Sequence, residues 1–148
     1  MEWVTRLRGA TVGVDTAPLI YFIERHPVYS PKLRPFFEAA ERHEFQLVTS
    51  VVTLIEVLIL PLRTGRHELA REYRDILVRS ASLKALPVTL EISEEAAQLR
   101  ATHNIRTPDA IQVATAKTAG ASWFLTNDAG LPALPGLAAL FVDKLPDR

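Results

Sequence analysis

Short β-branched runs alternate with longer amphipathic stretches along this chain. Ala10–Asp15 (ATVGVD), Phe45–Thr49 (FQLVT), Leu86–Thr89, Ser122–Thr126 (SWFLT) and Ala139–Val142 (ALFV) are compact apolar segments, and each predicts a strand. Between them, apolar residues recur every three to four positions. Ala17–Glu24 predicts a helix capped by Asp15 or Thr16, with Pro18 in its first turn. Ser30–Pro31 opens a second helix, running to about His43 with Leu33, Phe36, Phe37 and Ala40 on one face. Ser50 caps a very apolar helix over Val51–Leu60, which Pro61 is expected to stop. His67–Ser80 predicts an amphipathic helix, and Ser93–His103 a helix capped by Ser93. Thr107–Pro108 starts the last one, which runs to Thr118 and ends before Gly120. This alternation predicts an α/β sandwich with a mainly parallel sheet. In such sheets, ligands bind beyond the carboxyl ends of the strands.

Four acids fall where that rule directs attention. Asp15 ends the first strand, Glu56 lies in the helix after the second, Asp109 sits in the first turn of its helix, and Asp128 follows the Ser122–Thr126 strand. In sequence they are 41, 53 and 19 residues apart. Taken singly, three have ordinary explanations. Asp15 reads as a helix cap, Asp109 as an acid favoured by the helix dipole, and Asp128, in Asn127-Asp128-Ala129-Gly130, as a turn residue. Glu56 differs, because Val51–Leu60 is apolar nearly all round apart from Thr53 and Glu56, which share a face. Such a helix is expected to be buried, and a buried carboxylate needs a partner. A distant arginine would serve, but a cation shared with the other acids is the more economical partner. Four converging carboxylates raise one another's pKa, so a strong positive charge is expected among them. Oxygen-only ligation suits Mg²⁺ or Mn²⁺ rather than zinc.

These residues resemble a PIN domain, in particular ribonuclease toxins of the VapC type. The resemblance covers nearly the whole chain from about Val12 and rests on four ordered blocks. They are Val14-Asp15-Thr16 with Leu19-Ile20, Thr49 through Val57 around Glu56, Thr107 through Ala116 around Asp109, and Phe124 through Asp128 followed by Gly130-Leu131. It implies a Rossmann-like, three-layer α/β/α sandwich and a Mg²⁺- or Mn²⁺-dependent endoribonuclease activity on RNA. It assigns Asp15, Glu56, Asp109 and Asp128 to the metal site, and Thr126 to a hydroxylated position that orients metal-bound water. It also implies a homodimer held inactive by a small antitoxin protein. The alternative is a non-catalytic PIN-like module that binds RNA or protein. Degenerate members of that kind are expected to lose acids, and all four are present here.

Composition narrows the remaining options. The 148 residues fit one domain, 1–148, without linker, repeat or low-complexity tract; the ten prolines act as punctuation. Apolar residues make up 48% and charged residues 23%, as in an ordinary soluble globule. Cysteine is absent, which excludes disulfides, thiolate zinc sites and a cysteine nucleophile, and fits a cytoplasmic location. No signal core and no membrane-length apolar run is present. The 17 basic and 17 acidic residues balance, so any grip on nucleic acid must be local. Arg25, Lys32, Arg100, Arg106 and Lys117 lie near element ends and are candidate RNA contacts, although each also reads as solvated surface charge. A haloacid-dehalogenase site needs a second Asp two residues after Asp15, where Ala17 stands. A receiver domain needs an early acidic pair and a lysine after a late strand; the early pair is absent and Thr126-Asn127-Asp128 supplies no lysine. Asp15-Thr16-Ala17-Pro18 cannot form a glycine-rich dinucleotide turn. The four histidines, His26, His43, His67 and His103, show no metal spacing and read as surface residues, and no Gly-x-Ser-x-Gly elbow occurs.

Overall fold

The computed structural model describes residues 1–147. Strands β1 (Thr11–Val14), β2 (Gln46–Ser50), β3 (Leu83–Leu86), β4 (Trp123–Thr126) and β5 (Ala138–Phe141) form one sheet in the order β3-β2-β1-β4-β5. Every neighbouring pair is parallel, so the expected parallel sheet is present throughout. The chain builds outward from β1 to β3 on one side, then returns to add β4 and β5 on the other. The strand order therefore reverses at β1 and β4, and the carboxyl ends of these two strands flank the crevice where such folds bind ligands.

Helices cover both faces and complete the three layers. On one side lie α1 (Glu2–Thr5), α2 (Thr16–Ile23), α3 (Tyr29–Glu41), α4 (Val51–Arg63) and α5 (His67–Arg79), around a core that includes Val12, Val14, Leu19, Phe36, Leu47, Tyr73 and Leu125. On the other lie α6 (Leu90–His103) and α7 (Thr107–Thr118), with Ile92, Leu99, Val113 and Phe124 between them and the sheet. The period-two alternation of β1 sends Val12 and Val14 to the first core and Gly13 to the second. A Cβ on Gly13 would lie 2.6 Å from the Ala116 Cβ and 2.9 Å from the Phe124 ring. The bare backbone there lets α7, which carries Asp109, lie directly against β1. A short 3₁₀ turn, Val142–Lys144, follows β5. No helix among the described residues is long and apolar enough to cross a membrane.

Several expectations are corrected. The third strand is Leu83–Leu86, not Leu86–Thr89: Pro87 has no N–H for the ladder, so pairing with β2 stops at Leu86. Helix α6 starts at Leu90 with Thr89 as its cap, the Thr89 hydroxyl accepting from the Ile92 N–H at 3.1 Å; Ser93 instead donates back to the Thr89 carbonyl. Helix α4 runs through Pro61 to Arg63, since a proline in the last turn forfeits only one hydrogen bond. The four-residue α1 is too short to leave a periodic signal. The largest correction concerns burial. Only Thr53, Val57 and Pro61 of α4 are buried, while Ile55, Ile59, Leu60 and Leu62 are exposed, Ile55 at 61%. One flank of this helix is uncovered, and Glu56 lies on the exposed part.

Candidate active site

Asp15 follows the last residue of β1 and caps α2. Its Oδ1 accepts from the Thr16 N–H at 2.9 Å, and its Oδ2 accepts from the Thr126 hydroxyl at 2.8 Å. Thr126 ends β4 and is fully buried; its Oγ1 also accepts from the Asp128 N–H at 3.1 Å. A hydroxyl has one proton, and here that proton points at Asp15. Thr126 thus ties the exit of β1 to the exit of β4, rather than offering its proton to solvent. Asp128 is exposed, and its Oδ1 accepts from the Gly130 N–H at 2.9 Å, an Asx turn. The cap and turn roles suggested by the sequence are both present, and both residues also line the same cleft.

Glu56 stands in the second turn of α4 and accepts from the Thr16 hydroxyl at 2.6 Å. It is solvated, so it is not a buried charge in need of a counter-ion, contrary to the expectation drawn from the apolar composition of α4. Asp109, in the first turn of α7, accepts from Arg106 Nε at 3.2 Å. Asp15, Glu56, Asp109 and Asp128 line one cleft of about 440 Å³, together with Thr16, Tyr21, Arg106 and Asn127.

Burial is the main force raising the pKa of Asp15 above the ordinary carboxylate value. Hydrogen bonds from Thr126 and Thr16 oppose it, and the negative charges of Asp109 and Glu56 push it further up. Each acid accepts a hydrogen bond from a neighbouring donor, Asp15 and Glu56 sharing Thr16. Among the described residues, no three His, Cys, Asp or Glu side chains close in on a point as a ready-made metal cage. The donor chemistry does fit a hard divalent cation: four carboxylates, no sulfur and no imidazole.

Beneath the cleft runs a buried polar network anchored on Gln112, one turn after Asp109 on α7. Its Oε1 accepts from the Ser50 N–H at 3.2 Å. Its Nε2 donates to Thr53 Oγ1 at 2.5 Å and lies 3.5 Å from Thr16 Oγ1. Thr49 donates to the Val14 carbonyl at 2.8 Å, so the 2.7 Å contact between Thr49 and Thr53 is donated by Thr53. The Thr16 hydroxyl, accepting from Gln112, is left to donate to Glu56. The Gln112 amide, the Val14 carbonyl and the Glu56 carboxylate together set the directions of these bonds. Gln112, Tyr21 and Asn127 were not singled out from the sequence. The available signal for Gln112 was a lone polar side chain three positions after Asp109 among Ala110, Ile111, Val113 and Ala114.

The candidate RNA contacts separate. Arg106 lines the cleft, and Arg25 lines a second cavity near the C-terminal end of α2. Lys32 pairs with Asp147 at 3.5 Å, Lys117 with Glu95 at 2.8 Å, and Arg100 donates to the Ile105 carbonyl at 2.8 Å. These last three have partners within the protein and do not reach the cleft.

The fold resembles VapBC2 from Rickettsia felis bound to a promoter DNA fragment, with a TM-score of 0.67 and 18% identity over 88% of this chain and 98% of the other. It also resembles a toxin–antitoxin complex from Klebsiella pneumoniae (0.63, 20%, covering 88% and 96%). A third similar structure is VapC20 of Mycobacterium tuberculosis, a toxin that cleaves the sarcin–ricin loop (0.63, 18%, covering 78% and 87%). At such identities the likeness speaks for the fold. No curated protein sequence matches the chain. The family model described as PIN domain matches residues 12–137, a span that takes in all four acids, Thr126 and Gln112, and the chain belongs to the PIN-domain family.

Proposed function

We propose that the chain is a divalent-metal-dependent endoribonuclease, the toxin of a toxin–antitoxin pair. The carrying observation is that four acids from four separate segments line one cleft at the switch point of a parallel sheet. Asp15, Glu56, Asp109 and Asp128 would hold Mg²⁺ or Mn²⁺, with Thr126 fixing Asp15 through its hydroxyl. When bound, such an ion lowers the pKa of a water and offsets charge developing on the phosphate. Glu56 or Asp109, whichever is not engaged by the ion, accepts the proton of the attacking water. Arg106 lines the cleft and neutralises part of the negative charge that a phosphate would meet there. Replacing Asp15 or Asp109 by Asn tests the assignment. Mn²⁺-dependent RNA cleavage should fall by at least about a hundredfold on folded protein, and undiminished cleavage would sink it.

One similar structure is named as a toxin–antitoxin complex, and another as a toxin that cleaves the sarcin–ricin loop; these support RNA as substrate and a small antitoxin as partner. A homodimer is part of the same reading. Leu19–Ile23 packs into or against the first core, whereas α4 exposes Ile55, Ile59, Leu60 and Leu62. We assign the dimer to this α4 face. Light scattering should report a dimer for the native chain and a monomer for Ile59→Glu; a native monomer at micromolar concentration refutes it.

A further inference from the structure

The acidic cleft opens at the N-terminal end of α2. At the other end of α2 lies a second cavity of about 420 Å³, whose wall includes Phe22, Arg25, His26, Ser30 and Arg34. Glu72 is the one acid among its described lining residues. No ion pair with Arg25 or Arg34 occurs among the described residues, although nearby Arg66 pairs with Glu24. The Nδ1 of His26 accepts from the backbone N–H groups of Val28 (3.2 Å) and Tyr29 (3.1 Å). That fixes the tautomer and leaves Nε2 as a donor. The cavity is thus rich in donors and poor in acceptors, the reverse of the acidic cleft.

Arg25 is the left-handed residue that closes α2: its φ is +56°, and the His26 N–H after it donates to the Tyr21 carbonyl at 2.8 Å. That turn places the Arg25 side chain on the cavity wall. The two sites are also joined. Tyr21 lines the acidic cleft, and its ring meets the His26 ring edge-on at 5.2 Å, with Tyr29 4.5 Å from both. The eight residues of α2 separate the sites by about 12 Å.

We propose that this cavity is a phosphate subsite for single-stranded RNA, taking a phosphate further along the strand whose scissile bond lies in the acidic cleft. It deepens the ribonuclease reading and rests on it for the identity of the strand. Two guanidinium forks suit phosphate oxygens, and an aromatic surface beside a basic one suits a single strand.

The test is fluorescence anisotropy with a labelled, unstructured RNA oligonucleotide in EDTA, where no cleavage intervenes. Arg25→Gly removes the guanidinium and relieves the left-handed strain, so its Tm should equal or exceed the native value. RNA affinity should fall about five- to tenfold, and the salt slope of log K should shrink by about 0.7 for each phosphate no longer neutralised. Arg25→Gly/Arg34→Gln should reduce both further. Unchanged affinity and slope in the double variant, or no RNA binding by the native chain, overturns the subsite. Inorganic phosphate and an acidic peptide serve as competitors. Displacement of RNA only at far higher concentration supports the strand, and equal potency of either competitor overturns it. A native chain that binds RNA through Arg25 but never cleaves with Mn²⁺ loses the nuclease reading and keeps the subsite. Metal-dependent cleavage indifferent to Arg25 does the reverse.

Discussion

Asp15 and Glu56 both lean on Thr16, one on its N–H and the other on its hydroxyl, yet they sit in different surroundings. Asp15 belongs to the floor of the cleft, partly buried and held by two hydrogen bonds beside Thr126 and above Gln112. Glu56, Asp109 and Asp128 form a rim that water or Arg106 reaches. The difference divides the electrostatic load of four like charges in one cleft. Desolvation falls on one carboxylate, and the other three are hydrated or paired. The expectation of a shared cation treated all four as equally buried, and burial singles out Asp15.

The contrast breaks most sharply at Asp15. If the floor acid is costly to fold but needed for chemistry, Asp15→Asn should move activity and stability in opposite directions. Cleavage should fall at least about a hundredfold, while the Tm in EDTA should rise, because burial, the main force raising the Asp15 pKa, no longer penalises a charge. Asn keeps an oxygen for the Thr16 N–H, and the second lone pair of the Thr126 hydroxyl can accept from the new amide. A lower Tm for this variant in EDTA would show that Asp15 stabilises the empty protein and would remove the distinction between floor and rim.

Gln112 tests the floor from below. Gln112→Leu keeps the volume but strips the acceptor from the Ser50 N–H and the donors from Thr53 and Thr16. Leaving such buried groups unsatisfied costs about 1–3 kcal/mol. Denaturant unfolding should report that loss. Thr16 still donates to the Glu56 carboxylate, but the loss of the anchor beneath Ser50 and Thr53 should also cost cleavage beyond what unfolding explains. Thr53→Val should reproduce part of both effects and Thr53→Ser little of either. A Gln112→Leu variant as stable and active as the native chain would make the network incidental.

How much of this was readable from the sequence follows the same division. Strands were legible because a β-branched run in a buried parallel sheet is apolar on both faces, and only β3 shifted, where Pro87 removed an N–H. The positions of Asp15, Asp109 and Asp128 at element ends followed from strand-end topology. Glu56 lines the cleft, but the burial that singles it out in the sequence is absent. An apolar helix does not state which flank another element covers, and α4 leaves Ile55 and Ile59 bare. Gln112 stayed hidden because a single polar residue in a helix ordinarily reads as surface. Its partners, Ser50, Thr53 and Thr16, come from three other places in the chain and meet only after folding.

The pH dependence of stability sharpens the contrast at a smaller scale. The pKa of Asp15 is raised above its unfolded value of 3.8, chiefly by burial, so the native state holds this proton more tightly than the unfolded chain. Stability from this residue is therefore present at low pH and falls as pH rises through the interval between 3.8 and the higher native value. Unfolding in EDTA across that interval should show a downward slope in the native protein that Asp15→Asn lacks. An identical slope in the two proteins would place the titrating group elsewhere.

The smallest effects belong to the rim. Glu56→Gln and Asp128→Asn alter exposed groups, each with one near partner that the amide oxygen can still satisfy: Thr16 for Glu56, and the Gly130 N–H for Asp128. Metal-free stability should therefore change by no more than about 0.5 kcal/mol for either. Their importance should appear only when Mn²⁺ is titrated in. The native chain should gain Tm by mass action as the ion binds, and the rim variants should need roughly tenfold more ion for the same gain. If both variants match the native titration, the rim takes no part in holding the ion. Asp15 and Asp109 would then remain as the only acids whose replacement affects it.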